Sequence, residues 1–358
     1  MDKLDALLAL PPFALGSAEK RADFAAALAQ LTALHRDGCP GYGRILEVLG
    51  FDPDAAPTVE DFPFLPARLF KRHRLQSVPD DVVRTVLTSS GTSGQMPSRI
   101  ALDAVTSALQ TRILARIVGD FIGKARLPML VVDAASTIRS RSEFSARAAG
   151  ILGFSMFGRD VTYALADDMT PDWAAIDGFL DRHGGGPMLV FGFTFMVWAH
   201  LIQPLRAAGR LLPLENGVLV HGGGWKKLAD HAVDDAAFRR HLAEVAGLSR
   251  VHNYYGMVEQ TGSIFMQCEA GHLHCPVYCD VIIRDADFAA LPMGARGLVE
   301  LVSLLPRSYP GHVLLTEDEG TIDGQDDCPC GRPGKYFRVH GRTAMAEIRG
   351  CSDTYAEP

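Results

Sequence analysis

Apolar positions along this chain fall into two regimes. Over the first fifty residues they recur at helical spacing, most clearly through the Ala- and Leu-rich stretch Ala18 to His35, before a Gly/Pro break at Gly38 to Gly43. Pro57 to Pro79 is irregular and proline-punctuated, and carries Phe62, Phe64, Leu65 and Phe70. Short apolar runs then alternate with helical patterns. The strands predicted are Val82 to Leu87, Leu127 to Asp133, Val161 to Ala164, Met188 to Gly192 and Gly217 to His221. The helices predicted are Ala104 to Ile117, Ser142 to Leu152 and Asp172 to Arg182. Such alternation predicts an α/β fold with buried, largely parallel strands. From Val277 the strands (Val281 to Ile283, Gly297 to Val302, His312 to Thr316) lose their intervening helices, which predicts a smaller β-rich lobe over residues 277–340.

Composition narrows the classes. A chain of 358 residues exceeds one ordinary core, so a large multi-lobed domain or two domains are expected. With 35 basic against 42 acidic residues and a net charge of -7, neither nucleic acid nor an anionic membrane is an expected partner. The N-terminal Met-Asp-Lys-Leu-Asp-Ala lacks the layout of a signal peptide. The longest apolar stretch, Met188 to Ile202, is interrupted by Gly192, Thr194 and His200 and is too short to span a bilayer. A cytoplasmic protein is expected. Its seven cysteines are unevenly placed, in a way that suggests sites rather than a disulfide framework.

Four segments carry candidate chemistry. After the strand Val82 to Leu87 comes Thr88, Ser89, Ser90, Gly91, Thr92, Ser93 and Gly94. Backbone N–H groups, hydroxyls and glycines of this kind suit a polyphosphate, and no Gly-Lys-Ser/Thr follows to make a Walker loop. The second is Asn253-Tyr-Tyr255-Gly256-Met-Val-Glu259, where a glycine lets the backbone close over a flat ring and the acid can face phosphates or magnesium. The third is Leu314-Leu-Thr-Glu-Asp318, an acid presented after a strand, and the fourth is Gly341-Arg342 followed by Glu347 to Cys351. Any one alone could be a turn.

In this order the four segments resemble the adenylate-forming superfamily of acyl- and aryl-CoA ligases. The closest likeness is to the LuxE-type acyl-protein synthetases, the activating component of bacterial fatty-acid reductase, with phenylacetate-CoA ligases next. Phe64-Leu-Pro-Ala-Arg-Leu-Phe70, Val86 to Gly94 and the tail Arg349-Gly-Cys-Ser-Asp353 carry that likeness. The resemblance implies ATP and magnesium as cofactors. Thr88 to Gly94 would hold the β- and γ-phosphates and Glu259 the magnesium. Tyr255, Gly256 and Gly222-Gly223-Gly224 would hold the adenine, Asp318 the ribose, and Arg342 would assist. The apolar run Phe191 to Trp198 and part of Gly256 to Ile264 would line the acyl pocket. It also implies an adenylating domain over 1–340, and a hinge remnant and tail over 341–358 in which the C-terminal lid is absent or vestigial.

Two departures bear on chemistry. The lysine common just after the phosphate loop is missing, with Ser98 and Arg99 in its neighbourhood, and Glu317 replaces the glycine of the Thr-Gly-Asp segment.

Cys268, His274, Cys328 and Cys330 form a separate candidate set for structural zinc, because a Cys-Pro-Cys-Gly turn can aim two thiolates together. His272 and Cys275 compete for the same positions, and buried free thiols are the bland alternative.

Three functional readings follow. The first is activation of a carboxylic acid, expected to be fatty, as an acyl-adenylate with transfer to Cys351, with an acyl reductase as a candidate partner; the second sends the acyl group to coenzyme A or an acyl carrier protein. The third is a non-catalytic, ligase-derived nucleotide or acyl sensor.

Overall fold

The helical periodicity of the first fifty residues becomes three helices, Lys3–Ala9, Ser17–Gly38 and Pro40–Leu49. The expected Gly/Pro break narrows to Cys39 alone, which is extended at φ -124 and ψ 96. Pro40 opens the third helix because its fixed φ suits the first turn and its missing N–H has no intrahelical partner to lose. The structure, a computed structural model, describes residues 3–56, 58–89, 97–139, 146–225 and 232–343.

In chain order the strands are β1 (Leu65–Pro66), β2 (Val83–Thr88), β3 (Arg99–Asp103), β4 (Leu127–Ala134), β5 (Gly158–Leu165), β6 (Met188–Phe193) and β7 (Gly217–Gly222). They continue as β8 (Arg250–Tyr255), β9 (Phe265–Gln267), β10 (Leu273–His274), β11 (Cys279–Arg284), β12 (Arg296–Ser303), β13 (Val313–Gln325) and β14 (Lys335–Arg342). The chain divides into two units: Met1–Asp120 with Gly256–Glu347, and Phe121–Tyr255.

The second unit is the α/β part. Its strands lie in the order β8-β7-β6-β4-β5, all parallel. β6 and β7 are buried at every residue, which is why they read as continuous apolar runs. Phe179, Leu201, Leu205, Phe238 and Leu242 pack with these strands into one core.

The first unit is antiparallel. Its strands run β11-β12-β13-β14-β10-β9, with β1 parallel to β13, while β2 and β3 form a separate hairpin. The antiparallel region begins at Phe265, ahead of Val277, because β9 and β10 are too short to show an alternation. β13 runs through 13 residues, well past the Thr316 at which its apolar run ends, and pairs its polar half with β14.

Two buried imidazoles lock the long N-terminal helix to this unit. The His35 and His312 rings stack at 4.7 Å. Nε2 of His35 donates to the Pro306 carbonyl at 3.1 Å, and Nδ1 lies 2.8 Å from the Ser77 hydroxyl. Burial lowers the His35 pKa to about 3 against the Pro306 hydrogen bond, and burial together with the charge of His35 holds His312 well below its ordinary range. Both are therefore neutral when folded. Unfolded imidazoles near 6.5 take up protons that the folded ones refuse, so stability is expected to be intact above about pH 6.5 and to fall as pH drops toward 3. Urea midpoints measured at intervals from neutral to acidic pH test this; a flat profile would contradict it.

No helix among the described residues is long and apolar enough to cross a membrane.

Candidate functional site

In the first unit the chemistry gathers around Glu259. It sits in a single turn, Val258–Gln260, anchored because the Gln260 amide donates to the carbonyls of Leu301 at 3.1 Å and Gly311 at 2.9 Å. Close approach needs glycine at 311, where a Cβ would stand 2.7 Å from the Glu259 carbonyl oxygen and 2.3 Å from the Tyr309 ring. At Gly256 a Cβ would meet Ile264 at 2.9 Å.

The Glu259 side chain is buried, with 6% of its surface exposed. Burial raises its pKa, opposed by the Ser98 hydroxyl and by the positive charges of Lys71 and Arg342. The Ser98 hydroxyl favours the charged carboxylate. A buried carboxylate whose surroundings only partly compensate its charge suits a hard cation such as magnesium.

The neck of the hydroxyl loop adjoins this turn through Ser98. The Ser98 N–H donates to the Ser89 hydroxyl at 2.8 Å and the Ser89 N–H to the Ser98 carbonyl at 3.2 Å, closing the base of the β2–β3 hairpin beside exposed Thr88. Ser90, Gly91, Thr92, Ser93 and Gly94 lie outside the described residues, as does Cys351. Arg99, the other residue where a lysine was missing, is exposed.

Asp318 and Arg342 face each other across β13 and β14, with Arg342 Nε 3.8 Å from Asp318 Oδ1. The Asp318 N–H donates to the Thr316 hydroxyl, which donates to the Val299 carbonyl, so the motif threonine fixes the turn of the strand. Glu317, in the glycine's place, uses its carbonyl to accept the Thr343 N–H at 3.0 Å.

Sequence reasoning missed Lys71. It belongs to the short helix Leu69–Arg72, which follows β1 and is held to this region by β1 pairing with β13 and by Phe70 packing edge-on to Tyr309. The signal was present in the Leu-Phe-Lys-Arg run after Pro66, but a basic residue in an irregular segment has no periodicity to mark it.

In the second unit, Gly222 ends β7 and Tyr255 ends β8, at the carboxyl ends of parallel strands where α/β folds bind ligands. A Cβ on Gly222 would stand 2.4 Å from the Tyr254 ring, and Gly223 has φ +75. Glycine is thus demanded at 222 by Tyr254 and at 223 by the left-handed backbone. Nothing lies within 4 Å of a Cβ on Gly224, leaving that side open. Tyr254 and Tyr255 project to opposite faces of the strand. The Thr194 hydroxyl holds the loop, lying 2.8 Å from the Gly223 carbonyl and 2.9 Å from His221 Nδ1. The run Phe191 to Trp198 is buried throughout, and its Val197 and Trp198 belong to the core.

A second cluster in the first unit joins Cys268, His274, Cys328 and Cys330. Their ligand atoms all lie within 4.8 Å of one another. The Cys268 and Cys328 sulfurs are 3.8 Å apart, and Cys330 Sγ is 3.3 Å from His274 Nε2. A tetrahedron with metal–sulfur arms of about 2.3 Å has a sulfur–sulfur edge of about 3.8 Å. Burial, then the charge of Arg332, lowers the His274 pKa to about 4, which keeps the ring in its ligating neutral form. Of the two competitors, His272 is engaged with Asp323 at 3.1 Å, and Cys275 is a buried thiol pushed far up by burial. The donor set fits zinc.

The acyl-protein synthetase, LuxE, family profile matches residues 2–358. The chain belongs to this family. A long-chain-fatty-acid–luciferin-component ligase from Vibrio harveyi is 24% identical over 330 residues, 87% of this chain and 81% of that protein. The protein of the same name from Aliivibrio fischeri is 24% identical over 314 residues, 84% of this chain and 79% of its own length. Among solved structures, a 2-hydroxyisobutyryl-CoA ligase in complex with 2-HIB-AMP and CoA superposes with a TM-score of 0.71 at 20% identity, covering 93% of this chain and 70% of that one. That likeness establishes the α/β fold of an adenylate-forming ligase. As a LuxE-family acyl-protein synthetase, the protein is an ATP-dependent ligase that activates a carboxylic acid as its acyl-adenylate and passes the acyl group to a thiol.

Proposed function

We propose that the acid is a long-chain fatty acid and that the accepting thiol is Cys351. The substrate reading draws on the long-chain-fatty-acid–luciferin-component ligases of Vibrio harveyi and Aliivibrio fischeri, to which the chain is similar over more than four-fifths of its length. The observation that carries the site is the grouping of Glu259 with Ser98 at the loop neck and with the charges of Lys71 and Arg342. Thr88 to Gly94 hold the β- and γ-phosphates, assisted by Lys71 in place of the missing loop lysine. Glu259 holds magnesium, which when bound screens the charge that develops on the phosphates. Asp318 receives the ribose hydroxyls, and Arg342 steadies that carboxylate.

The chemistry needs positioning more than covalent help. The carboxylate oxygen attacks the α-phosphorus, the bond to pyrophosphate breaks, and a poor electrophile becomes a mixed anhydride with AMP as leaving group. Acid-dependent exchange of labelled pyrophosphate into ATP, measured across a series of acids, tests the substrate. Fastest exchange with long-chain fatty acids is expected; exchange confined to short or aromatic acids would overturn the assignment. A second reading, in which coenzyme A accepts the acyl group, draws on the CoA-bound ligase that shares the fold.

Zinc at Cys268, His274, Cys328 and Cys330 is proposed as a structural centre, supported by the near-tetrahedral sulfur spacing. The ligands come from two stretches some fifty residues apart, so the metal would staple the loop before β10 to the turn between β13 and β14. About one equivalent of zinc is expected by elemental analysis, and a strong chelator is expected to lower the melting temperature. Metal-free protein of unchanged stability would return these residues to the core.

A further inference from the structure

Buried thiolates held on one metal carry chemistry of their own once an oxidant reaches them. Cys268 sits at the end of β9, and Cys328 and Cys330 sit on the turn between β13 and β14, yet Cys268 Sγ and Cys328 Sγ are only 3.8 Å apart. Bringing them to bonding distance requires a movement of about 1.8 Å, within reach of side-chain rotation. Cys268 and Cys328 are buried, whereas Cys330 is partly exposed, so the turn offers an entry for a small molecule and Cys268 lies behind it. Cys275 and Cys279 are buried outside the four-residue cluster.

We infer that this centre is also an oxidation site: a peroxide converts it into a disulfide joining Cys268 to the Cys328-Pro329-Cys330 turn, and the metal leaves. The inference rests on the zinc reading above. The steps balance. A thiolate of the turn attacks one peroxide oxygen, forming an S–O bond as the O–O bond breaks and hydroxide departs. The Cys268 sulfur then attacks that sulfenic sulfur, the S–S bond forms, and the second oxygen departs as hydroxide. The sulfur pair gives up two electrons, the peroxide becomes two waters after protonation, and the metal, stripped of two thiolate ligands, is released as its aqua ion.

The Cys-Pro-Cys turn cannot easily bridge to itself, because a disulfide between Cys328 and Cys330 would close a small ring around a proline whose φ is fixed. A cross-loop bond keeps the same two stretches tied that the metal tied, so the fold survives the exchange of one staple for another. Reduction with a dithiol and added zinc should restore the original centre.

The test treats the purified full-length protein with hydrogen peroxide and follows three readouts together. Zinc release is read with a chromogenic chelator, thiol loss by mass, and linkage by non-reducing peptide mapping. The expected result is one zinc released per protein, with a peptide containing Cys268 linked to the one containing Cys328 and Cys330, both reversed by dithiothreitol and zinc. The Cys268→Ser protein should give no such link. Zinc released with sulfinic acid on the turn and no cross-link would overturn the inference, as would zinc retained at peroxide levels that oxidise Cys351. Protein isolated without metal that still forms the link would remove the metal reading and leave the disulfide pairing standing.

Discussion

Glu259→Ala protein is expected to lose acid-dependent pyrophosphate exchange by at least about two orders of magnitude, the scale set by removing one preorganised charge-stabilising group. Its fold should persist, because the turn is held by Gln260 and Gly311, not by the carboxylate. The physical case is the burial of a charge. Burial raises the Glu259 pKa against Ser98, Lys71 and Arg342, and a bound cation would compensate the desolvated carboxylate charge. Glu259→Gln keeps the volume and removes the charge, and should lose as much exchange as the alanine variant. Exchange is measured with labelled pyrophosphate, and stability by thermal unfolding. Near-normal exchange in the glutamine variant would take Glu259 out of the magnesium role.

Much of the architecture was written in periodicity. β4, β6 and β7 are parallel strands buried on both faces, so their apolar runs mark them directly. The grouping of Cys268, His274, Cys328 and Cys330 was legible too, since two cysteines around one proline leave few geometries. What periodicity could not show is what long-range pairing creates. Asp318 and Arg342 meet because β13 and β14 align them, and the charge of Lys71 acts on Glu259 from a helix that follows two-residue β1, which pairs with β13. Strands of two or three residues carry no pattern, which is also why the antiparallel unit begins earlier than its sequence suggests. Gly256 and Gly222 were visible as glycines, but the close contacts an added Cβ would make there, with Ile264 and Tyr254, arise from packing.

Cys351→Ser protein is expected to form acyl-adenylate at a normal rate and to retain no acyl group covalently. A thiolate attacks the acyl carbon of the mixed anhydride, the C–S bond forms, and AMP leaves with the anhydride oxygen. A serine hydroxyl, far less ionised at neutral pH, attacks too slowly to accumulate product. The thioester keeps the acyl group activated for onward transfer or reduction, which an oxygen ester would not do as well. Pyrophosphate exchange in this variant should match the unaltered protein, separating acceptor from activation.

The most direct measurement is intact mass spectrometry of the protein after incubation with ATP, magnesium and a long-chain fatty acid. The account predicts one added acyl mass, dependent on ATP, released by neutral hydroxylamine and absent from Cys351→Ser protein. An unmodified chain with acyl-coenzyme A as the sole product, or the same hydroxylamine-labile mass on Cys351→Ser protein, would contradict it.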